Sequence, residues 1–170
     1  MQLLIVRHAI AEEREDFART GQDDSLRPVT AEGEAKMERN AAGLRRALEG
    51  QLDLVATSPY VRATQTARIV AAACGGELVK CEPLVPTARP GAFLQWLRER
   101  AVGDGALVAA VGHEPHLGAL VTWLMTGSME SRVPLRKGGA CLLDFAGQPR
   151  QGSAALVWAL TPSLLRRLGD

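Results

Sequence analysis

Arg7 and His8 follow the apolar run Leu3-Leu4-Ile5-Val6 without a break. A cation and a near-cation at the end of a buried strand are costly unless something negative meets them. A second run, LDLVATS at 52–58, ends in Thr57-Ser58-Pro59, with Arg62 close behind it. A third, ALVAAVGH at 106–113, ends in Gly112-His113-Glu114-Pro115. Taken singly, Arg7 and Arg62 read as surface arginines, and either histidine as structural. Their coincidence of position points to chemistry: of the three histidines in the chain, two end apolar runs. If these runs are neighbouring parallel strands, their carboxyl ends meet where open α/β sheets hold ligands. Two guanidinium forks and two imidazoles beside helix N-termini then form an anion site, for which phosphate is the natural guest. The third histidine, His116, makes HEPH at 113–116. That differs from the zinc motif HExxH in spacing and carries an intervening proline, so His116 is not expected to ligate a metal.

The elements needed to position these residues are legible as alternating short apolar runs and helical patterns. That alternation predicts an α/β fold, three layers with a mostly parallel central sheet flanked by helices. Thr30 reads as an N-cap, and Met37, Ala41, Leu44 and Leu48 share one face of a helix running to about Glu49, with Gly50 as its stop. Pro59 opens a helix reaching about Ala73, and FLQWLRER at 93–100 is amphipathic helix. ELVKCEPL at 77–84 is a short edge strand, because Pro83 and Pro86 limit pairing. ALVAAVGH suits a central strand buried on both faces, and a helix with Pro115 in its first turn follows to about Met125. ACLLDF and SAALVWAL read as two late strands, antiparallel neighbours. Residues 11–28 are polar and charged without periodicity, and read as a long loop over one face.

Composition bounds the function. A chain of 170 residues, 46% hydrophobic and 23% charged, is expected to form a single domain (1–170) around a real core. With 20 Lys+Arg against 19 Asp+Glu the net charge is +1, so neither nucleic acid nor an anionic membrane is an expected partner. Cys74, Cys81 and Cys141 show no CxxC pair or metal-type spacing and read as reduced thiols. Met1 leads straight into a strand-like run, with no leader pattern and no apolar stretch of about 18 residues. A soluble, cytoplasmic protein is the expectation.

Four ordered segments, VRHA (6–9), LRPVTAEGE (26–34), ATSPYVRATQTA (56–67) and VGHEP (111–115), resemble the motifs of the histidine phosphatase (phosphoglycerate-mutase-like) superfamily. RKGGACLLDF and the ending WALTPSLLRRL are similar to its small SixA-type phosphohistidine phosphatases, so the resemblance spans essentially the whole chain. It implies that His8 is the nucleophile accepting the phosphoryl group. Arg7 and Arg62 would grip the phosphoryl oxygens, and His113 would donate a hydrogen bond to the group in flight. No metal or cofactor is implied, because two arginines and a histidine neutralise the charge. Ala9 stands where the best-known signature has glycine, a small residue that still permits a tight turn. Many ester-cleaving members carry a glutamate acid near the third strand; here CEPLVPTARPG offers only Glu82, out of obvious register.

That absence leans towards an N–P substrate. An alkoxide leaving group needs a proton, and lacking the acid costs about 10²–10⁴ in rate. A departing imidazole, whose conjugate acid has a pKa of about 6.5, needs no dedicated acid. The expected activity is therefore removal of phosphate from phosphohistidine on a protein, such as a phosphotransfer domain. The alternative is a phosphatase for a small phosphoester or sugar phosphate, with Glu13 or Glu82 as acid. A non-catalytic phosphate-binding module is the reading from another class. The acidic cluster Glu12, Glu13, Glu15, Asp16, Asp23 and Asp24 is expected either to oppose highly anionic small substrates or to be a solvated loop.

Overall fold

The computed structural model describes every residue except 101, 102 and 104. Six strands, β1 (Gln2–Arg7), β2 (Leu54–Thr57), β3 (Glu77–Lys80), β4 (Leu107–Gly112), β5 (Ala140–Phe145) and β6 (Ala154–Leu160), form one sheet in the order β3-β2-β4-β1-β5-β6. The first four strands are mutually parallel, and β5 and β6 extend the sheet as an antiparallel pair beyond β1. Among the described residues six α-helices complete the fold: α1 (Arg14–Ala18), α2 (Ala31–Ala47), α3 (Val61–Cys74), α4 (Pro90–Glu99), α5 (His116–Thr126) and α6 (Pro162–Gly169).

Strand periodicity makes the three layers. Leu3 and Ile5 of β1 pack with Val108 and Ala110 against Phe93, Leu97, Leu117 and Leu120 of α4 and α5. Leu4 and Val6 point the other way, with Ala109 and Val111, onto Met37, Leu44, Val70 and Leu165 of α2, α3 and α6. Each such side chain contributes about 1.5–3 kcal/mol by leaving water. All six residues of β4 are buried, as expected of a strand between β2 and β1. The edge position of β3 and the antiparallel pairing of β5 with β6 also match the sequence reading.

Four segments differ from it. Strand β3 stops at Lys80 rather than running to Leu84, because the chain turns at Pro83 into a 3-10 turn over Glu82–Leu84. Helix α2 ends at Ala47 rather than near Glu49, because Leu48 turns extended to bury its side chain in the core. The 11–28 segment has structure of its own: α1, a 3-10 turn at Asp24–Leu26, and a bridge from Ala11 to Val29 that closes its base. Periodicity misses such short pieces because one turn of helix carries too few residues to show a face. The ending 161–170, to which pattern reading assigned no element, forms α6, capped by Thr161 and anchored by buried Leu165. Helix α6 lies on α2 at Gly43, where any Cβ would strike the Leu165 main chain. Among the described residues no helix is long and apolar enough to cross a membrane.

Candidate active site

The parallel strands bring their carboxyl ends together. Arg7 pairs with Gly112, the His8 N–H donates to Gly112 O at 3.0 Å, and the Ser58 N–H donates to Val111 O at 3.0 Å. His8 and His113 therefore stand side by side, ring centroids 5.0 Å apart. Tyr60, preceding α3, lies 5.0 Å from the His113 ring, and the Arg62 guanidinium lies 5.0 Å from the Tyr60 ring centre. Arg7 and Arg62 are both close enough to His8 for their charges to depress its basicity. All four residues singled out from the sequence thus gather at one edge of the sheet.

His8 is locked as a neutral imidazole of defined tautomer. Its Nδ1 lies 2.7 Å from Ala9 O, an atom that can only accept, so the proton sits on Nδ1 and the lone pair on Nε2. Ala9 is held in turn: its N–H donates to Thr66 Oγ1 at 2.9 Å, and that hydroxyl donates to Arg62 O. Burial, reinforced by Arg62, Arg7 and Arg27 and opposed by the Ala9 carbonyl, pushes the His8 pKa down to about 3. Burial, with His8 and Arg62, pushes His113 down to about 2. His113 Nε2 meets Ser58 Oγ at 2.9 Å, and its Nδ1 is buried with no partner.

The arginines are equally prepared. The Arg7 Nη1–H donates to Leu135 O at 2.7 Å, while Leu135 N–H donates to the Glu114 carboxylate at 2.8 Å. Glu114, whose role the sequence reading missed, thereby ties the loop before β5 to the site. Arg7 Nε and Arg62 Nε are buried without partners. A buried N–H lacking an acceptor costs about 1–3 kcal/mol, so two such guanidinium nitrogens on arginines whose charges reach His8 favour an anion with several oxygens.

Other readings fare differently. Glu13 stands at the N-cap position of α1 without a side-chain capping bond, and Glu82 begins a 3-10 turn at Glu82–Leu84; both residues are exposed, and neither hydrogen-bonds to the four gathered residues. Asp24, expected to be a repelling or solvated charge, is instead ion-paired with Arg62 and Arg27. Its partner Arg62 lies 38 positions away, beyond any local pattern. His116 opens α5, buried, with both ring nitrogens unpartnered, and burial pushes it down to about 4. Among the described residues no group of three His, Cys, Asp or Glu side chains gathers as a metal site.

Burial of the imidazoles has a measurable effect. All three histidines should keep neutral imidazole shifts by NMR from pH 8 to 5, and a titration centred near 6.5 would contradict the burial argument. When unfolded, each regains its ordinary value of 6.5 and takes up a proton below it. Stability should therefore be fully present above about 6.5 and fall as pH drops towards 4, by up to about 1.4 kcal/mol per pH unit per histidine. The denaturant midpoint at pH 7 and pH 5 reads this directly.

A three-layer α/β fold with paired neutral histidines and waiting arginine N–H groups at its carboxyl edge is the architecture of an anion-handling enzyme. Residues 3–85 match the histidine phosphatase superfamily (branch 1). An uncharacterized protein of Picosynechococcus sp. (strain ATCC 27264 / PCC 7002 / PR-6) is 36% identical over 140 residues, 82% of each chain. The structure of the protein histidine phosphatase SixA complexed with tungstate superposes with a TM-score of 0.78 at 23% identity, covering 96% of this chain and 98% of that one. A mycobacterial glucosyl-3-phosphoglycerate phosphatase bound to VO3 superposes with a TM-score of 0.69 at 14% identity, covering 92% and 98%. The chain belongs to the histidine phosphatase superfamily and is by class a phosphatase.

Proposed function

We propose that residues 1–170 act as one domain that removes the phosphoryl group from phosphohistidine on a protein, through a phosphohistidine formed on His8. His8 Nε2 gives its lone pair to phosphorus as the substrate P–N bond breaks, and the departing imidazole takes its proton from solvent. Water then attacks the enzyme-bound phosphoryl group, releasing inorganic phosphate and restoring neutral His8. Arg7 and Arg62 meet the phosphoryl oxygens with their free Nε–H groups. Ser58 Oγ accepts from Tyr60 N–H at 3.4 Å, and in this reading its hydroxyl donates to His113 Nε2, 2.9 Å away. The His113 proton then resides on Nδ1, the buried nitrogen that would donate to the moving group.

The observation that carries the substrate class is the pair of exposed carboxylates: neither Glu13 nor Glu82 is held at the site. An alkyl phosphate would lack its proton donor, while a phosphohistidine would not need one. Among the described residues no separate cap domain is inserted between the elements, which favours a protein substrate, such as a phosphotransfer domain. The likeness to a glucosyl-3-phosphoglycerate phosphatase supports the small-phosphoester reading instead.

One comparison separates them. A phosphohistidine-bearing phosphotransfer protein should be turned over with a kcat/KM about 10²–10⁴ above that for an alkyl phosphate monoester. Equal efficiencies would favour the small-phosphoester reading. Phosphate binding without turnover of either would leave a binding module.

A further inference from the structure

Among the described residues, the side-chain ion partners of Asp24 are three arginines. Arg62 Nη1–H donates to Asp24 O at 2.7 Å, and Arg62 Nη2–H donates to Asp24 Oδ2 at 2.9 Å. Arg27 Nε–H donates to Asp24 Oδ1 at 2.8 Å, and Arg14 Nε lies 3.7 Å from the same oxygen. The turn carrying Asp24 is itself held. Asp23 Oδ1 accepts from Ser25 N at 2.8 Å, and Arg27 Nη1–H donates to Glu12 O at 2.6 Å, tying both ends of the segment together. Burial works against the Asp24 carboxylate, but Arg27 and Arg62 outweigh it and hold its pKa below the ordinary value.

What Asp24 leaves free matters most. It occupies the two terminal nitrogens of Arg62, while Nε remains buried with no partner. In a planar guanidinium, Nε–H and one N–H of Nη2 point from the same edge, the spacing that matches two oxygens of a phosphoryl group. We infer that Asp24 is a positioning residue: it clamps the far end of the Arg62 guanidinium so that its Nε–Nη2 edge stands ready for the phosphoryl oxygens. The inference rests on the reading of Arg62 as a phosphoryl-gripping arginine. A long, flexible side chain is thereby ordered before substrate arrives, and binding energy is not consumed in ordering it. The 11–28 segment thus becomes part of the site through one carboxylate.

The test is a double-mutant cycle read by inorganic phosphate affinity and by kcat/KM on phosphoramidate, a small N–P substrate. Asp24→Ala should lower kcat/KM on the order of 10²-fold and weaken phosphate binding about tenfold. Asp24→Asn should lose less, because its amide oxygen still accepts from Nη2; being isosteric, it keeps the test valid if the alanine variant unfolds. In an Arg62→Lys background, Asp24→Ala should cost less than about threefold, since the group it positions is gone. The same loss in both backgrounds would mean that Asp24 serves only the fold of the segment. Tighter phosphate binding in Asp24→Ala would mean that it blocks the fork rather than aligning it. Either result overturns the inference while leaving the reading of Arg62 intact. An Arg62→Lys variant with unchanged activity would overturn that reading, and the inference with it.

Discussion

Replacing His8 with alanine is expected to abolish turnover and to leave no phosphate on the enzyme. A brief reaction with labelled phosphohistidine substrate, stopped by denaturation, should trap phosphate on the unaltered protein in an acid-labile, base-stable bond. Loss on the order of 10⁴ or more is expected because the Ala9 carbonyl leaves the lone pair on His8 Nε2, in reach of the Arg7 and Arg62 charges. The other nucleophile types nearby are poorly suited. Cys81 is buried with its thiol pushed up to about 12, and Ser58 is engaged with His113. His113→Ala should slow both steps yet still allow some labelling, since the role proposed for His113 is to donate to the group without bonding to it. Label mapping to Cys81 or Ser58, or an active His8→Ala variant, would refute the nucleophile assignment.

Arg62→Lys should lower kcat/KM by about 10²–10³ with the fold retained. Lysine keeps the charge but is a point donor, so it supplies neither the Nε–Nη2 edge nor the paired contacts to Asp24 O and Oδ2. Arg45 provides the control: it is exposed on α2 and should tolerate the same change. Arg46 is a poorer control, because its Nη1–H donates to Leu168 O and helps seat α6. Equal losses at Arg62 and Arg45 would contradict the assignment, whereas a loss confined to Arg62 supports it.

Much of the fold and of the site is legible in the residues themselves, for identifiable physical reasons. Apolar runs ending in Arg7-His8 and Gly112-His113 reveal buried strands with costly polar ends, and burial is a property each run carries by itself. Thr30 reveals the start of α2, since its side chain accepts from Gly33 N three residues away. Gly33 sits in the AEGE segment because any Cβ there would strike the Ile10 carbonyl, a constraint invisible until 10 and 33 are neighbours. The short α1 and the amphipathic ending α6 escape local pattern reading, one too brief for periodicity and the other stabilised by its seat on Gly43 and by buried Leu165.

The sequence by itself determined which side chains are available, which runs must be buried, and at which ends the histidines and arginines fall, because periodicity, capping and turn chemistry act over a few residues. Only the tertiary structure decided that β4 lies between β1 and β2, and therefore that His113 stands 5.0 Å from His8. It alone decided that Ala9 O selects the His8 tautomer, and that Asp24, from a segment read as a loop, grips Arg62 from 38 positions away. Strand order and long-range charge pairing are set by the path of the whole chain around one core, and no local pattern carries that path.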